Sequence, residues 1–343
     1  MKHWLSERLP IDFDRLRSLT NEPVPGHLKR WWFALGGTAA YLFFVQLGTG
    51  LLLLFFYVAE PGRAFDSVRE ISSAVPFGWW IRSLHKWSAS GMIVALCLHT
   101  LRVFFTDAYR KPRELTWVVG CLLLFATLGA GLSGYSLVYE QLSYWGATVT
   151  SNLVGALPLF GGWLARLIRG GEEVGPATLT RFFVLHIAVL PAMILLLVAV
   201  HIALVRIHGI SELRFRDQEN EPRTFPFLPD HLLTELAIAL TIMTLLNVLA
   251  VIFPAQLGER ANPLQTPEHI RPEWYFYFAF RWLKLTTLRI GVIGTVLAAV
   301  LMVLWPAVDG GLRRLSPRRE LSPLLGVAAV LVVVMLTIWE AVS

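Results

Sequence analysis

Four histidines stand in two pairs inside apolar stretches of this 343-residue chain, His85 with His99 and His186 with His201. The first gap is fourteen residues and the second fifteen. An α-helix turns about 100° and rises about 1.5 Å per residue, so either gap returns a side chain to nearly the same face roughly 20 Å further on. Two such helices facing one another set His85 opposite His186 and His99 opposite His201. The pattern predicts two bis-imidazole cages stacked through a membrane, an arrangement suited to two haems in series. Ionisable side chains are costly within spanning segments and are usually functional there, which argues against four unrelated interfacial histidines.

A composition 55% hydrophobic and only 16% charged indicates a polytopic membrane protein rather than a soluble multidomain chain. Seven apolar spans of about the 20-residue length that crosses hydrocarbon are predicted, over residues 31–58, 79–105, 115–138, 179–205, 232–253, 290–305 and 321–339. The expected fold is an all-α membrane protein, an N-terminal four-helix dihaem bundle followed by three C-terminal helices. The expected divisions are a cytoplasmic amphipathic N-terminus (1–30), the bundle (31–210), a cytoplasmic linker (211–230) and a three-helix region (231–343). Residues 1–30 lack the apolar core and cleavage site of a secretory signal, so the first span is expected to drive insertion. Between the third and fourth spans, residues 141–156 and 160–169 read as short amphipathic helices lying on the membrane face.

Basic residues concentrate in alternate loops: Lys29 and Arg30, then Arg110, Lys111 and Arg113, then Arg206, Arg214, Arg216 and Arg223, then Arg313, Arg314, Arg318 and Arg319. By the positive-inside rule the N-terminus is cytoplasmic and, after seven spans, the C-terminus periplasmic, in a bacterial inner membrane. His85 and His186 then lie near the outer face and His99 and His201 near the inner. The net charge of +6 is thus an orientation signal, and no nucleic-acid partner is expected. Cys97 and Cys121 form no CxxC or CxxCH pattern, so neither a disulfide framework nor a conventional c-type haem attachment is expected.

Glycines repeat the ligand interval: Gly36 and Gly50 on the first span, Gly120 and Gly134 on the third. Such pairs promote helix contact in membranes, and their match to the histidine spacing predicts clearance for flat haems. Arg82 and Lys86 flank His85, and Arg181 precedes His186 by five residues. They are candidates to neutralise haem propionates, with interfacial snorkelling as the alternative. Arg102 and Arg206 hold similar places past His99 and His201, suiting inner propionates or an inner quinone pocket.

Several motifs together carry a family resemblance. The segments Arg82-Ser83-Leu84-His85-Lys86-Trp87-Ser88-Ala89-Ser90 and Leu179-Thr180-Arg181-Phe182-Phe183-Val184-Leu185-His186, with the glycine pairs, resemble cytochrome b of bc complexes and cytochrome b6 of b6f complexes. Ala261-Asn262-Pro263-Leu264, Thr266-Pro267 and Pro272-Glu273-Trp274-Tyr275-Phe276-Tyr277 resemble the quinol-site region of b6f subunit IV. The fifteen-residue second gap is of the b6 type, whereas Ser143-Tyr144-Trp145-Gly146-Ala147-Thr148-Val149 is nearer the bc1 form. The chain therefore looks like a fused b6-plus-subunit-IV protein.

The resemblance implies two non-covalent bis-histidine b-type haems and an outer quinol-oxidation site in which Glu273 accepts a quinol proton. Tyr135, Gly146 and Tyr275 match positions at that site. It further implies a quinol:cytochrome c or plastocyanin-type oxidoreductase, with quinone and quinol as substrate and electrons passing to an inner-face quinone site. A Rieske iron–sulfur protein, a c-type cytochrome subunit, lipid and a homodimeric complex are the implied partners. Two departures stand out. Ala34 replaces the cysteine that tethers an extra haem in cytochrome b6, so no covalent third haem is expected. Val138-Tyr139 replaces a Pro-Trp beside the quinol site, followed by Glu140, which either assists proton exit or faces water. Two other functions compete: a haem b anchor linking quinone to a different redox partner without a Rieske protein, and a transporter relaying protons or metal.

Overall fold

Residues 23–211, 213, 224–316 and 321–343 are described in a computed structural model of the chain. Residues 1–22 and the expected inner bases Arg214, Arg216, Arg223, Arg318 and Arg319 lie outside the described residues. Long runs of Leu, Val, Ala and Phe wind into helices, because in hydrocarbon each backbone amide must find its partner within the helix. Helix α1 spans Leu35–Leu54, and α2, a short amphipathic piece, spans Ala64–Ser73. Helices α3 (Gly78–Phe105) and α4 (Glu114–Leu137) follow, then α5 (Gln141–Gly155) and α6 (Gly161–Arg169), which match the two expected surface helices. Helix α7 covers Pro176–His208, and α8 covers Leu232–Ile252. The chain then forms α9 (Tyr277–Leu285), α10 (Leu288–Val303), α11 (Trp305–Leu315) and α12 (Leu321–Val342).

Among the described residues six helices are long and apolar enough to cross a membrane, and a seventh span arises if α10 and α11 count as one bent by 75°. The sixth span, Leu288–Val303, has the length of its expected 290–305 but begins and ends two residues earlier, and it closes in a sharp turn. Pro306 explains the break: it has no N–H for the Met302 carbonyl. That carbonyl accepts instead from the Trp117 indole at 2.8 Å. A small antiparallel clasp, Pro23–Pro25 against Thr224–Pro226, joins the chain ahead of α1 to the start of α8 and was not foreseen.

The bundle is α1, α3, α4 and α7, with α3 packed most closely on α1 and α7 on α4, while α8 lies against α3 and α1. Its centre is apolar: Leu42, Phe43, Leu84, Met92, Leu123, Ala126 and Ile194 interlock with Leu246 and Ala250 of α8. Along α1, α3, α4 and α7 these bundle residues fall near or between the glycine and histidine positions, so a dry septum separates one histidine pair from the other. The last helices are fastened to the bundle by a polar knot. Buried Asp309 of α11 accepts from Arg110 Nε at 2.9 Å and from the Ser322 hydroxyl of α12, and Arg110 also holds Asp107 at 2.6 Å.

Removing one partner of a buried ion pair leaves the other charge uncompensated, a cost of about 3–5 kcal/mol. Asp309→Ala is expected to destabilise the protein by that order, read as a lowered midpoint in thermal unfolding, whereas the exposed-face change Leu331→Ala should leave the midpoint nearly unmoved.

Candidate functional site

The histidines meet as their spacing predicts at one end of the bundle. The His85 and His186 rings lie with centroids 6.2 Å apart and planes at 79°. Bonds of about 2 Å from each imidazole to a shared iron would put the centroids roughly 6 Å apart. Second-sphere contacts set the protons. The Ala130 carbonyl, which only accepts, lies 3.0 Å from His186 Nδ1, so Nδ1 carries the hydrogen and Nε2 keeps its lone pair. The Thr49 hydroxyl donates to the Val45 carbonyl at 2.7 Å and accepts from His85 Nδ1 at 2.8 Å, with the same result. Both imidazoles are thus poised to ligate through Nε2.

The unequal gaps are reconciled by a π-helical turn over Leu185–Val189, which contains His186. Pro191 lacks the N–H that would bind the Ile187 carbonyl, and the wider turn takes up one extra residue. Fifteen residues along α7 therefore keep phase with fourteen along α3. At the other end His99 and His201 are electrostatic neighbours. Here Arg102 Nη2 lies 3.3 Å from His99 Nδ1, and because arginine only donates, this ring is not pre-set as those of His85 and His186 are. The buried Arg102 Nε has no hydrogen-bond partner among the described residues, so this cation retains donor capacity that suits an anionic group such as a propionate.

Each glycine of the two pairs lies against one imidazole. A Cβ on Gly134 would sit 2.5 Å from His186 Cε1, on Gly36 3.1 Å from His99, on Gly50 3.3 Å from His85 and on Gly120 3.4 Å from His201. The clearance expected for haem discs is therefore, in the first place, clearance for the imidazole rings themselves.

One cavity adjoins the His85–His186 pair, and a second abuts that cavity. The first, about 310 Å³, contains both rings together with Gly50, Gly134, Arg82 and Lys86. The second, about 290 Å³, is nearly all apolar and includes Gly146, Phe276, Phe280 and Leu283. Tyr135, Glu273 and Tyr275 line both. Half-buried Glu273 faces Lys86 Nζ at 3.8 Å. The Tyr275 hydroxyl tucks over Gly131, where a Cβ would come within 2.7 Å of it, and a Cβ on Gly146 would press on Tyr135 at 3.2 Å. Burial, and then the neighbouring Glu273 carboxylate, hold the Tyr275 phenol above its ordinary pKa, so it remains a donor.

Other expected residues take different places. Arg181 is exposed and reaches the Arg166 carbonyl of α6 at 3.4 Å; it does not line the cavity of the His85–His186 pair, so a propionate role is not supported for it. Arg82 does line that cavity, yet its guanidinium already donates to the carbonyls of Ala255 and Gln256 at 2.7 and 2.9 Å. Arg206 is exposed in the last turn of α7. Glu140 neither stands alone nor faces only water: it accepts from the Gly258 amide at 2.6 Å. Gln141 accepts from the Asn262 amide at 2.6 Å, and Arg260 bonds Asp66 of α2 at 2.5 Å, holding that carboxyl below its ordinary pKa. The divergent 138–141 stretch thus stitches α4 to the loop that leads to Glu273.

Sequence reasoning missed Thr49 and the Ala130 carbonyl as ring partners, and Gly131 as the seat of Tyr275. It also missed His231 and Glu235, an i,i+4 pair at 3.8 Å whose carboxylate rests on Gly37 beside the His99 end. Their signal was two ionisable residues opening an apolar span.

Residues 19–209 match the family model described as cytochrome b/b6/petB, and residues 260–342 that of cytochrome b(C-terminal)/b6/petD. The chain belongs to the cytochrome b/b6 family. A cytochrome bc complex cytochrome b subunit of Chlorobaculum thiosulfatiphilum is 36% identical over 341 residues, covering 98% of this chain and 78% of the relative. Cytochrome b6 of Heliobacterium modesticaldum is 41% identical over 210 residues, 61% of this chain and 99% of its own length. A solved hyperthermophilic respiratory Complex III contains a chain that superposes with a TM-score of 0.86 at 29% identity, covering 99% of this chain and 91% of that one. As a cytochrome b, this is a haem-binding membrane protein of electron transport.

Overpacking a fitted contact costs about 1–3 kcal/mol, and an imidazole holding a haem iron could not step aside. Gly134→Ala is therefore expected to lose most of the b-type absorbance belonging to the His85–His186 pair, while Gly120→Ala, meeting its ring at an ordinary contact distance, retains most of the other.

Proposed function

We propose that this chain is the dihaem subunit of a quinol-oxidising bc-type complex. The observation that carries the reading is the position of Glu273, on the wall shared by the apolar cavity and the cavity holding the His85–His186 rings. In this reading His85 and His186 hold one non-covalent haem, on the outer side, and His99 and His201 the other. Bis-histidine ligation leaves no open position for oxygen, and the two groups when bound supply one-electron carriers between an outer quinol site and an inner-face quinone site.

The residues do the rest. Apolar walls from Phe276, Phe280, Leu283 and Val149 enclose the ring of a quinol. Tyr135 and Tyr275 border it with protonated hydroxyls. Glu273 accepts a proton there, with the Lys86 ammonium 3.8 Å from its carboxyl oxygen. Arg102 serves an inner propionate. A Rieske protein takes the first electron, with a c-type cytochrome subunit or another carrier as acceptor, and the complex is a dimer. The chain lies in a bacterial inner membrane with its N-terminus cytoplasmic and its C-terminus periplasmic. With Ala34 in place of a thiol, no thioether holds a third haem at that position. An anchor without a Rieske partner has no use for an outer proton acceptor between two cavities, which disfavours that alternative.

A pyridine haemochrome assay on the purified protein should give two b-type haems per chain; none would sink the reading. His201→Ala should retain one, on the outer side. Positioned acid–base groups contribute about 10²–10⁴-fold. Glu273→Gln should lower quinol oxidation by that order while leaving both haem spectra intact, and unchanged turnover would exclude the proton-acceptor role.

A further inference from the structure

Helix α12 is apolar along its length except near its end, where Glu340 is fully buried. A buried carboxylate in a spanning helix is costly unless paired and is a candidate functional residue. Its partners come from one place, the segment that follows Glu273. Lys284 Nζ donates to Glu340 Oε1 at 2.6 Å, and Arg281 Nε pairs with Oε2 at 2.9 Å. Arg281 also donates to the Trp339 carbonyl at 3.3 Å, bonds the Ser343 hydroxyl, and stacks over the Trp339 ring at 4.9 Å. Arg271, two residues ahead of Glu273, donates to the Ser343 carbonyl at 2.8 Å.

Helix α9 therefore has two working faces. Arg281 and Lys284, three apart, grip the end of α12, while Phe280 and Leu283, likewise three apart and one position back, line the 290 Å³ cavity. A single 3-10 turn, Trp274–Phe276, links α9 to Glu273. With only nine residues, α9 lies well short of the length at which a helix holds its place by itself. Whatever fixes α9 fixes the cavity wall.

We propose that Glu340 is a positioning residue for the quinol site: by clamping Arg281 and Lys284 it sets the wall that Phe280 and Leu283 present, and so sets quinol affinity without touching quinol. The proposal rests on reading that cavity as the quinol site. The test measures quinol oxidation by the purified complex with a short-tail benzoquinol and a short-tail naphthoquinol, alongside haem spectra, for Glu340→Gln, Glu340→Asp and Glu273→Gln. Glu340→Gln should raise KM ~10-fold with kcat within about twofold and both haems spectrally unchanged, the split expected for a lost binding interaction. Glu340→Asp should recover most of the KM. An assembled Glu340→Gln complex with wild-type KM overturns the proposal. So does a parallel fall in kcat and haem content that Glu340→Asp fails to rescue. Should Glu340→Gln not accumulate, Lys284→Gln removes one of the two ion pairs and is expected to raise KM about threefold; an unchanged KM there also overturns it. The cavity assignment fails separately, by Glu273→Gln leaving turnover intact.

Discussion

The contact on which the rest depends is that between a glycine Cα and an imidazole edge, made four times. Helices in lipid gain little from burying apolar surface against one another, so their association rests on close packing and on small residues that allow it. Helix α1 offers Gly36 and Gly50 to His99 and His85, and α4 offers Gly120 and Gly134 to His201 and His186. Each histidine helix is thereby seated on a glycine helix instead of on the other histidine helix. The imidazoles are left to face each other across the bundle, and the large septum residues Leu42, Phe43, Met92 and Leu123 fill the space between the two levels.

Much of this was legible because a helix has a fixed period and a membrane a fixed thickness. Those two facts give the spans, the surface helices α5 and α6, and the pairing of His85 with His186. The fifteen-residue gap was legible as a number but not as a structure. Its physical basis, a π turn ahead of Pro191, needs a backbone hydrogen-bond pattern that a periodicity argument treats as uniform. The bend at Leu304 has a similar origin in Pro306, with Trp117 from a distant helix taking the freed carbonyl.

What could not be read were contacts between segments far apart in sequence. Arg181 sits at a spacing from His186 that suggests a haem partner, yet a helix places it on the α6 side, where a carbonyl satisfies it. Glu140 and Gln141 looked like divergence at the edge of a site. Their partners, Gly258, Glu259 and Asn262, lie more than a hundred residues away, and only the fold reveals that they are cross-links. Glu273, Tyr135 and Tyr275 were named from motifs, and the geometry adds that all three line both the apolar cavity and the histidine chamber.

The last helix shows how a membrane protein places an element that apolar packing alone would leave loose. Along α12 Leu324, Leu331, Val333 and Met335 remain exposed on the isolated chain, surface that suits lipid tails and is indifferent to sliding along the membrane normal. Its two ends are pinned by buried carboxylates instead. Asp309 holds Ser322 at the start of the helix and Arg110 of the α3–α4 loop, and Glu340 holds Arg281 and Lys284 at its end. Charge pairs of this kind add little net stability over apolar packing, but they cannot slip by a turn without stranding an ion. Register is therefore what they contribute, and register along α12 is what fixes the height of α9 against the cavity that Glu273 overlooks.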